Sequence, residues 1–114
     1  MRNVTAGERR AVLAIANALP DEQGHQMKAD LEISQVEEES GAARLRFVIP
    51  GYARPPYRGQ HPFPVEGWMQ DADGARLDVI PHADERGRLL ELEIIRWSEG
   101  EIVGPRWDTF TIYG

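Results

Sequence analysis

Three residues near the middle of this chain have the types and spacing of a chemical site. His82, Asp84 and Glu85 place an imidazole beside two carboxylates, from which a metal site or a general base could be built. The group ends a predicted strand and runs into a turn, where Asp is common anyway. His25 and His61 lie far away in sequence, so no second metal ligand is in register. A surface turn is the favoured interpretation, and a metal or acid–base site stays open.

The run Asp71-Ala72-Asp73-Gly74 begins with the alternating oxygen ligands of a calcium-binding loop. Such a loop needs a further oxygen at its fifth position and a glutamate at its twelfth. Those positions hold Ala75 and His82, so the pattern fails at both. The run is better explained as a hairpin turn, and we predict no metal site.

Glu91 and Glu93 lie two residues apart on a predicted strand and therefore share one of its faces. Glu66 on a neighbouring strand could join them, and paired carboxylates are the groups that glycosidases use. A solvated sheet face in an acidic protein produces the same pattern. The sequence also contains no G-x-S-x-G elbow, no P-loop and no G-x-G-x-x-G motif. We therefore expect no enzyme, no catalytic residue and no cofactor.

The size and composition of the chain narrow its class. Its 114 residues suit a single domain, 1–114, with one modest core. The absence of cysteine excludes disulfides, cysteine-ligated zinc and thiol catalysis. No apolar run approaches the roughly 20 residues that cross a bilayer, and the first residues lack the pattern of a signal peptide. We predict a cytoplasmic protein with no membrane partner.

The net charge of −6 bears on the kind of partner. Attraction to phosphates dominates nucleic-acid binding, so an acidic chain is a poor general nucleic-acid binder and we expect no such partner. The charge fits a basic protein partner, or it simply keeps the protein in solution.

The chain begins with the pattern of a helix and continues with that of a hairpin. Thr5 and Glu8 have the spacing of a capping box, and the following apolar stripe predicts a helix over about 6–19. Leu31 and Ile33 then alternate with acidic residues, which predicts one side of a hairpin spanning about 29–49. The residues expected to form its turn and its cross-strand charge pairs are Ser40-Gly41, Glu37, Glu38, Glu39, Arg44 and Arg46.

Between Val65 and Trp97 short alternating runs are separated by two turn signals rich in Asp and Gly. They predict an antiparallel meander, in whose last strand Leu90, Leu92 and Ile94 lie on one side, opposite Glu91 and Glu93. Residues 107–113 alternate as a sixth strand. The predicted fold is α+β, with an N-terminal helix packed on a five- to six-stranded, mainly antiparallel sheet made of the hairpin plus the meander. The three predicted meander strands are 65–70, 75–82 and 88–97.

The segment from Pro50 to Pro64 has no period and contains five prolines. Proline cannot donate to a sheet ladder, so the sequence predicts a long ordered loop or an edge cover. Tyr52, Tyr57 and Phe63 could fold back as a lid over the core, or they could form a binding surface. Both interpretations stay open.

A motif between Gly67 and Pro105 resembles a family of small, acidic, single-domain proteobacterial proteins of uncharacterised function. It reads G-x-x-x-D-x-D-G-x-x-x-x-V, then D-x-x-G-x-L-x-E-L-E-I-x-R, then I-x-x-P. The resemblance covers about a third of the chain and implies the meander without any activity. The matching residues are Gly67, Asp71, Asp73, Gly74, Val79, Asp84, Gly87, Leu89, Glu91, Leu92, Glu93, Ile94, Arg96, Ile102 and Pro105.

The chain is also similar in class to bacterial immunity proteins, which are small, acidic and neutralise basic toxin domains. This similarity implies a non-catalytic protein that docks on a toxin through an acidic surface, with aromatic anchors. The alternative is a homodimeric interaction module that binds a peptide or small ligand through the Pro- and aromatic-rich segment 50–64. Among the tryptophans, Trp97 is the one expected to be partly exposed. The predicted partner-binding residues are Glu37, Glu38, Glu39, Glu66, Glu91, Glu93, Trp97 and Tyr57.

Overall fold

The computed structural model describes residues 1–113. Within them, no helix has the length and apolar character needed to cross a membrane. The prediction of an α+β fold is confirmed, but this part of the chain has two helices and eight strands, more than expected. The elements are β1 (Arg2–Asn3), α1 (Ala6–Ala18), α2 (Asp21–Ile33), β2 (Gln35–Glu39), β3 (Arg44–Val48), β4 (His61–Pro62), β5 (Gly67–Gln70), β6 (Arg76–Ala83), β7 (Leu89–Arg96) and β8 (Arg106–Ile112).

Helix α1 begins where the sequence predicts it. The Thr5 hydroxyl accepts a hydrogen bond from the Glu8 N–H at 3.2 Å, and the Glu8 carboxylate accepts one from the Thr5 N–H at 2.9 Å. Both halves of the predicted capping box are therefore present. Glu8 also pairs with Arg2 at 2.7 Å, which ties β1 to the helix start. The buried stripe consists of Ala11, Val12, Ile15, Ala16 and Leu19.

Helix α2 occupies a region where a strand was predicted from about residue 29. Met27 and Leu31, four residues apart, are buried, whereas Ile33 is 53% exposed. The alternation of Leu31 and Ile33 was misleading, since only one of them contributes to the apolar side. Gly24 allows the two helices to approach, because a Cβ there would lie 2.4 Å from the Ala16 carbonyl oxygen.

The strands pair antiparallel in the order β1-β2-β3-β7-β6-β5-β8, and the short β4 pairs with the far end of β6. The hairpin turns at the predicted position, although its first strand starts at residue 35 rather than 29. It places Glu37 opposite Arg46 and Glu39 opposite Arg44, as expected. The predicted meander is confirmed as β5, β6 and β7, and the strand near the C-terminus pairs with β5.

The core lies between the helices and one face of the sheet. Side chains from both layers form a single buried cluster that includes Ile15, Met27, Leu77 and Leu92. Residues that alternate with the core positions along the strands point to the opposite face, which we call the open face. It carries Glu37, Glu39, Arg44, Arg46, Trp68, Asp78, His82, Glu91, Glu93 and Ile95.

A β-bulge changes the predicted pattern of β7. Ala83 pairs with Leu89 and His82 pairs with Glu91, so Leu90 is the extra residue without a partner on β6. Leu89 therefore joins the core, while Leu90 is buried outside the core cluster. The expectation that Leu90 lies on the same side as Leu92 and Ile94 was wrong, because strict alternation does not hold across a bulge.

Candidate functional site

The segment 50–64 is anchored to the sheet at its C-terminal end. Within it, β4 pairs with β6, so the segment is not wholly irregular as predicted. The Phe63 N–H donates to the Pro81 carbonyl at 2.9 Å, and the Phe63 side chain packs into the core. Of the three aromatic residues expected in this segment, Phe63 behaves as a lid residue and Tyr57 does not, since Tyr57 is 65% exposed.

The N-terminal part of this segment is held by Arg54. Strands β3 and β7 pair only as far as Arg46, opposite Glu91. Beyond that point the Arg54 guanidinium bridges the two strands, because Nη2 donates to the carbonyl oxygens of Phe47 and Leu89, each at 2.7 Å. One side chain thus satisfies carbonyl groups where the strands separate.

Asp84 accepts hydrogen bonds from the second terminal nitrogen of Arg54, Nη1, and from the hydroxyl of Tyr52. Its Oδ2 accepts from Tyr52 at 2.7 Å and from Arg54 at 3.0 Å, while Oδ1 accepts from the Arg86 and Arg88 N–H groups. Burial by itself raises the pKa of Asp84, but these four donors outweigh it and hold the pKa below its ordinary value. Burial and the bond to Asp84 raise the pKa of Tyr52, so its hydroxyl stays protonated as a donor.

A second Asp–Arg pair contacts the Tyr52 ring through its arginine. The Arg88 guanidinium lies 4.4 Å from the ring centroid and donates to the buried Asp30 at 2.7 Å. Asp30 also accepts from the Leu89 N–H at 3.0 Å. Asp30 is one of the acidic residues that alternate with Leu31 and Ile33 in the predicted strand, yet the helix that forms instead buries it. Tyr52 is therefore fixed at its hydroxyl and on its ring face.

A groove of about 400 Å³ opens between β3 and this anchored segment. Its apolar lining comes from Val48, Ile49, Pro55 and Leu90. The exposed Tyr57 side chain also lines the groove. Its charged lining is balanced and consists of Arg46, Arg54, Asp84 and Glu85. The groove offers apolar contact without a net charge.

His82, Asp84 and Glu85 do not converge on one site. The His82 ring lies 3.0 Å from Glu93, Asp84 binds the 50–64 segment, and Glu85 lies 2.7 Å from His61. Glu85 also accepts from the Arg58 N–H, which ties the tip of the segment to the turn. Among residues 1–113 no three His, Cys, Asp or Glu side chains are grouped to hold a metal ion.

The two glutamates of β7 are paired within the molecule. Glu91 is almost fully buried between Arg44 at 3.7 Å and Arg46 at 3.6 Å, and Glu93 faces His82. They share the open face, as predicted. Each carboxylate has a basic side chain on a neighbouring strand within 4 Å, however, so the two glutamates do not form an acidic surface that is free to bind a basic partner.

The remaining predicted residues are spread over the molecule. Glu38 is exposed on β2 and lies 3.3 Å from Arg2, while its neighbours Glu37 and Glu39 are half-buried. Glu66 is exposed just before β5. Trp97 is 71% exposed, as predicted, and its indole N–H donates to Asp78. The framework made by Asp30, Arg54 and Arg88 was not predicted, because its two carboxylate–guanidinium pairs join residues 30 and 58 positions apart along the chain.

Comparison with known proteins gives one match. The sequence model of a domain of unknown function, DUF6984, matches residues 1–104, which include both helices, the 50–64 segment and the meander. The match ends before β8. No curated protein and no solved structure matches the chain. Since the match extends over most of its length, the chain belongs to the DUF6984 family.

Proposed function

We propose that this protein is a binding protein that holds a small, uncharged, apolar ligand in the groove beside the 50–64 segment. The observation that carries the proposal is the apolar wall of Ile49 and Leu90 with an exposed Tyr57 beside it. The groove volume of about 400 Å³ falls in the usual range of small-molecule sites.

The rigidity of the groove supports this function. Tyr52, Arg54 and Asp84 are fixed by hydrogen bonds of 2.7–3.0 Å to one another or to strand carbonyls. A site whose walls are already ordered loses little conformational entropy when a ligand enters. Tyr57 is the exposed large apolar side chain of the lining, so it is the residue that we expect to close on the ligand.

The charge balance of the groove favours an uncharged ligand. Arg54 and Asp84 are paired with each other, and Glu85 is engaged by His61. Recruiting Arg54 or Asp84 to a charged ligand would break their ion pair and leave the other group without a counterion. An uncharged ring or aliphatic group makes contact without that cost.

Titration with the uncharged fluorophore N-phenyl-1-naphthylamine tests the proposal. We expect Tyr57→Ala to weaken binding roughly tenfold, while Trp97→Ala, which removes another exposed aromatic ring elsewhere, changes it less than about twofold. Chemical shifts of Val48, Ile49 and Leu90 should move with the fluorescence. The proposal fails if the shifts map to another surface or if the two variants weaken binding equally.

A second candidate is the immunity-type function implied by the similarity of class. The exposure of Glu38 between two further glutamates on β2, in a chain of net charge −6, is the observation in its favour. Calorimetry with a toxin domain encoded beside the gene provides the test. The triple variant E37Q/E38Q/E39Q should weaken binding at least roughly tenfold, whereas Glu91→Gln should not, because Glu91 is almost fully buried and a partner cannot reach its carboxylate. Equal effects of the two variants would contradict this candidate.

A further inference from the structure

Three of the four charged residues that line the groove already have close hydrogen-bond partners. Arg54 donates three hydrogen bonds of 2.7–3.0 Å, and Asp84 accepts four. Glu85 accepts from the Arg58 N–H at 2.8 Å. The fourth charged residue of the lining, Arg46, differs from these three.

The Arg46 guanidinium makes long contacts with its neighbours. Its Nη2 lies 3.6 Å from Glu91 and its Nε lies 3.6 Å from Glu39, which is beyond hydrogen-bond distance. Nε is buried, and among residues 1–113 it has no hydrogen-bond partner. A guanidinium carries five N–H donors and no acceptor, and a buried donor without a partner destabilises the structure. The lining of the groove therefore contains a charged donor that an acceptor on a ligand could engage.

The neighbours of Arg46 favour a neutral acceptor over an anion. Glu91 lies between Arg44 and Arg46, and Glu39 is the second carboxylate beside Arg46, so two positive charges face two negative ones. Glu91 is 4% exposed. An anion that drew Arg46 away would weaken the compensation of this buried carboxylate and would itself be repelled by it. A carbonyl oxygen accepts a hydrogen bond from a guanidinium without adding a charge.

Strand β3 sets the distance between this donor and the apolar wall. Arg46 and Val48 alternate with core positions and share one face of the strand, about 7 Å apart along it. Both line the groove, together with Ile49 and Leu90. A ligand can therefore place an apolar ring on the wall and an oxygen at Arg46 when the two are directly bonded through one carbon, as in an aryl ketone.

We propose that the ligand of this groove is an apolar compound with a carbonyl group, a ketone, ester or amide, whose oxygen accepts a hydrogen bond from Arg46. The inference rests on the proposed function and names the class of its ligand. A carbonyl supplies an acceptor without a donor of its own, so it needs nothing from Asp84, which already accepts from four groups. Arg46 thereby selects a carbonyl compound over a hydrocarbon of the same shape.

Two matched compounds test the proposal. 2-Acetylnaphthalene and 2-ethylnaphthalene have nearly the same shape, and the carbonyl group of the first is a CH₂ group in the second. Each is titrated against the full chain loaded with N-phenyl-1-naphthylamine, and displacement of the fluorophore gives its dissociation constant. The measured quantity is the ratio of the two constants, in which a general loss of affinity cancels. We expect Arg46→Met to move this ratio roughly tenfold against the ketone.

Arg44→Met is the matched control. Arg44 is the other arginine beside Glu91, and its side chain is as exposed as that of Arg46, 41% against 40%, but it does not line the groove. Its removal should change the ratio less than about twofold. If Arg46→Met does not fold, the double variant R46M/E91Q leaves no buried carboxylate short of a partner, and its ratio should differ roughly tenfold from that of Glu91→Gln.

The carbonyl ¹³C signal of bound 2-acetylnaphthalene provides a direct measurement of the hydrogen bond. We expect it to move downfield in the parent chain and in Arg44→Met, and to move less in Arg46→Met. A ratio that is unchanged in Arg46→Met, or one that Arg44→Met moves as far, would overturn the inference while binding in the groove still stands. If neither compound displaces the fluorophore, or the fluorophore does not bind, the proposed function fails and this inference fails with it.

Discussion

The two turns of the meander, which begin at Asp71 and Asp84, have the same local geometry. Each holds a long connection in place, but the first holds the β7–β8 connection and the second holds the 50–64 segment, and they do so with different donors. In the first turn the Gly74 N–H donates to the Asp71 carbonyl, and in the second the Gly87 N–H donates to the Asp84 carbonyl. Both glycines have positive φ angles, 88° and 77°. In each turn the leading aspartate is buried, so each carboxylate needs partners from outside the turn.

Asp71 is held mainly by backbone amides. Its Oδ1 accepts from the Ala72 and Gly104 N–H groups, and its Oδ2 accepts from the Val103 N–H and from Arg96. The connection between β7 and β8 is thus fixed through its main chain, whatever side chains it carries. Burial alone raises the pKa of Asp71, but these donors outweigh it and the pKa lies at about 2.

Asp84 instead holds its connection through side chains. Its outward oxygen binds the hydroxyl of Tyr52 and the guanidinium of Arg54, both from the 50–64 segment. Side chains of this length keep the backbone of the segment away from the strands, and the groove lies in the space between. The same turn therefore holds one connection through main-chain amides and the other through long side chains.

The largest expected effect comes from Asp71→Asn. Each Asp71 oxygen accepts two hydrogen bonds, and an amide would put its own NH₂ against two donors. We expect a loss of about 3 kcal/mol in the free energy of unfolding, measured with denaturant. Asp73→Asn is the matched control, because Asp73 is 44% exposed. A cost for Asp71→Asn no larger than that of the control would contradict the role of the buried carboxylate.

Asp84→Asn should cost less, about 1–2 kcal/mol. The amide oxygen can still accept from the two N–H groups of the turn, and the Tyr52 hydroxyl can rotate to accept from the new NH₂. The main interaction lost is therefore the hydrogen bond from Arg54. Hydrogen exchange should quicken at residues 50–58 and leave 102–104 unchanged. Faster exchange in both connections would show that the two turns are coupled and not separate.

Low pH should reduce the difference in unfolding free energy between the parent chain and Asp71→Asn. The pKa of Asp71 is lowered to about 2 by folding, so its stabilisation is present above the unfolded pKa of about 3.9 and is lost as pH falls through the folded value. We expect the difference in unfolding free energy at pH 2 to be less than about half of that at pH 7. A difference that is independent of pH would mean that the charge of Asp71 is not involved.

The smallest expected changes in stability come from substituting one side chain in each connection, Tyr52 in the 50–64 segment and Val103 between β7 and β8. Tyr52→Phe removes a donor to Asp84 while keeping the ring under Arg88, and should cost about 1 kcal/mol. Val103→Ala should cost less than about 0.5 kcal/mol, because only the N–H of Val103 binds Asp71 and the side chain is 67% exposed. Thermal unfolding of the two variants tests this order, and the reverse order would remove the distinction between the turns.

Local patterns predicted the start of α1, the hairpin turn and the meander, because their determinants lie within a few residues of one another. The capping box of Thr5 and Glu8 is an example. Helix α2 was missed because Leu31 and Ile33 mimic a strand over three residues, whereas the helical spacing of Met27 and Leu31 decided the structure. For the candidate site, the exposure of Trp97 was predicted, but the groove and its framework were not.

What the sequence determined by itself was therefore local: a capped first helix, turns at Asp and Gly, strands of alternating polarity, and an acidic net charge. Tertiary structure decided which carboxylates stay free and which are matched, since Asp30 and Arg88 meet across 58 residues. The tertiary structure also decided the position of Leu90. Because β7 has a bulge where it pairs with β6, Leu90 lines the groove and does not join the core cluster. The physical reason is that burial and charge pairing depend on neighbours in space, and a pattern read along the chain contains only neighbours in sequence.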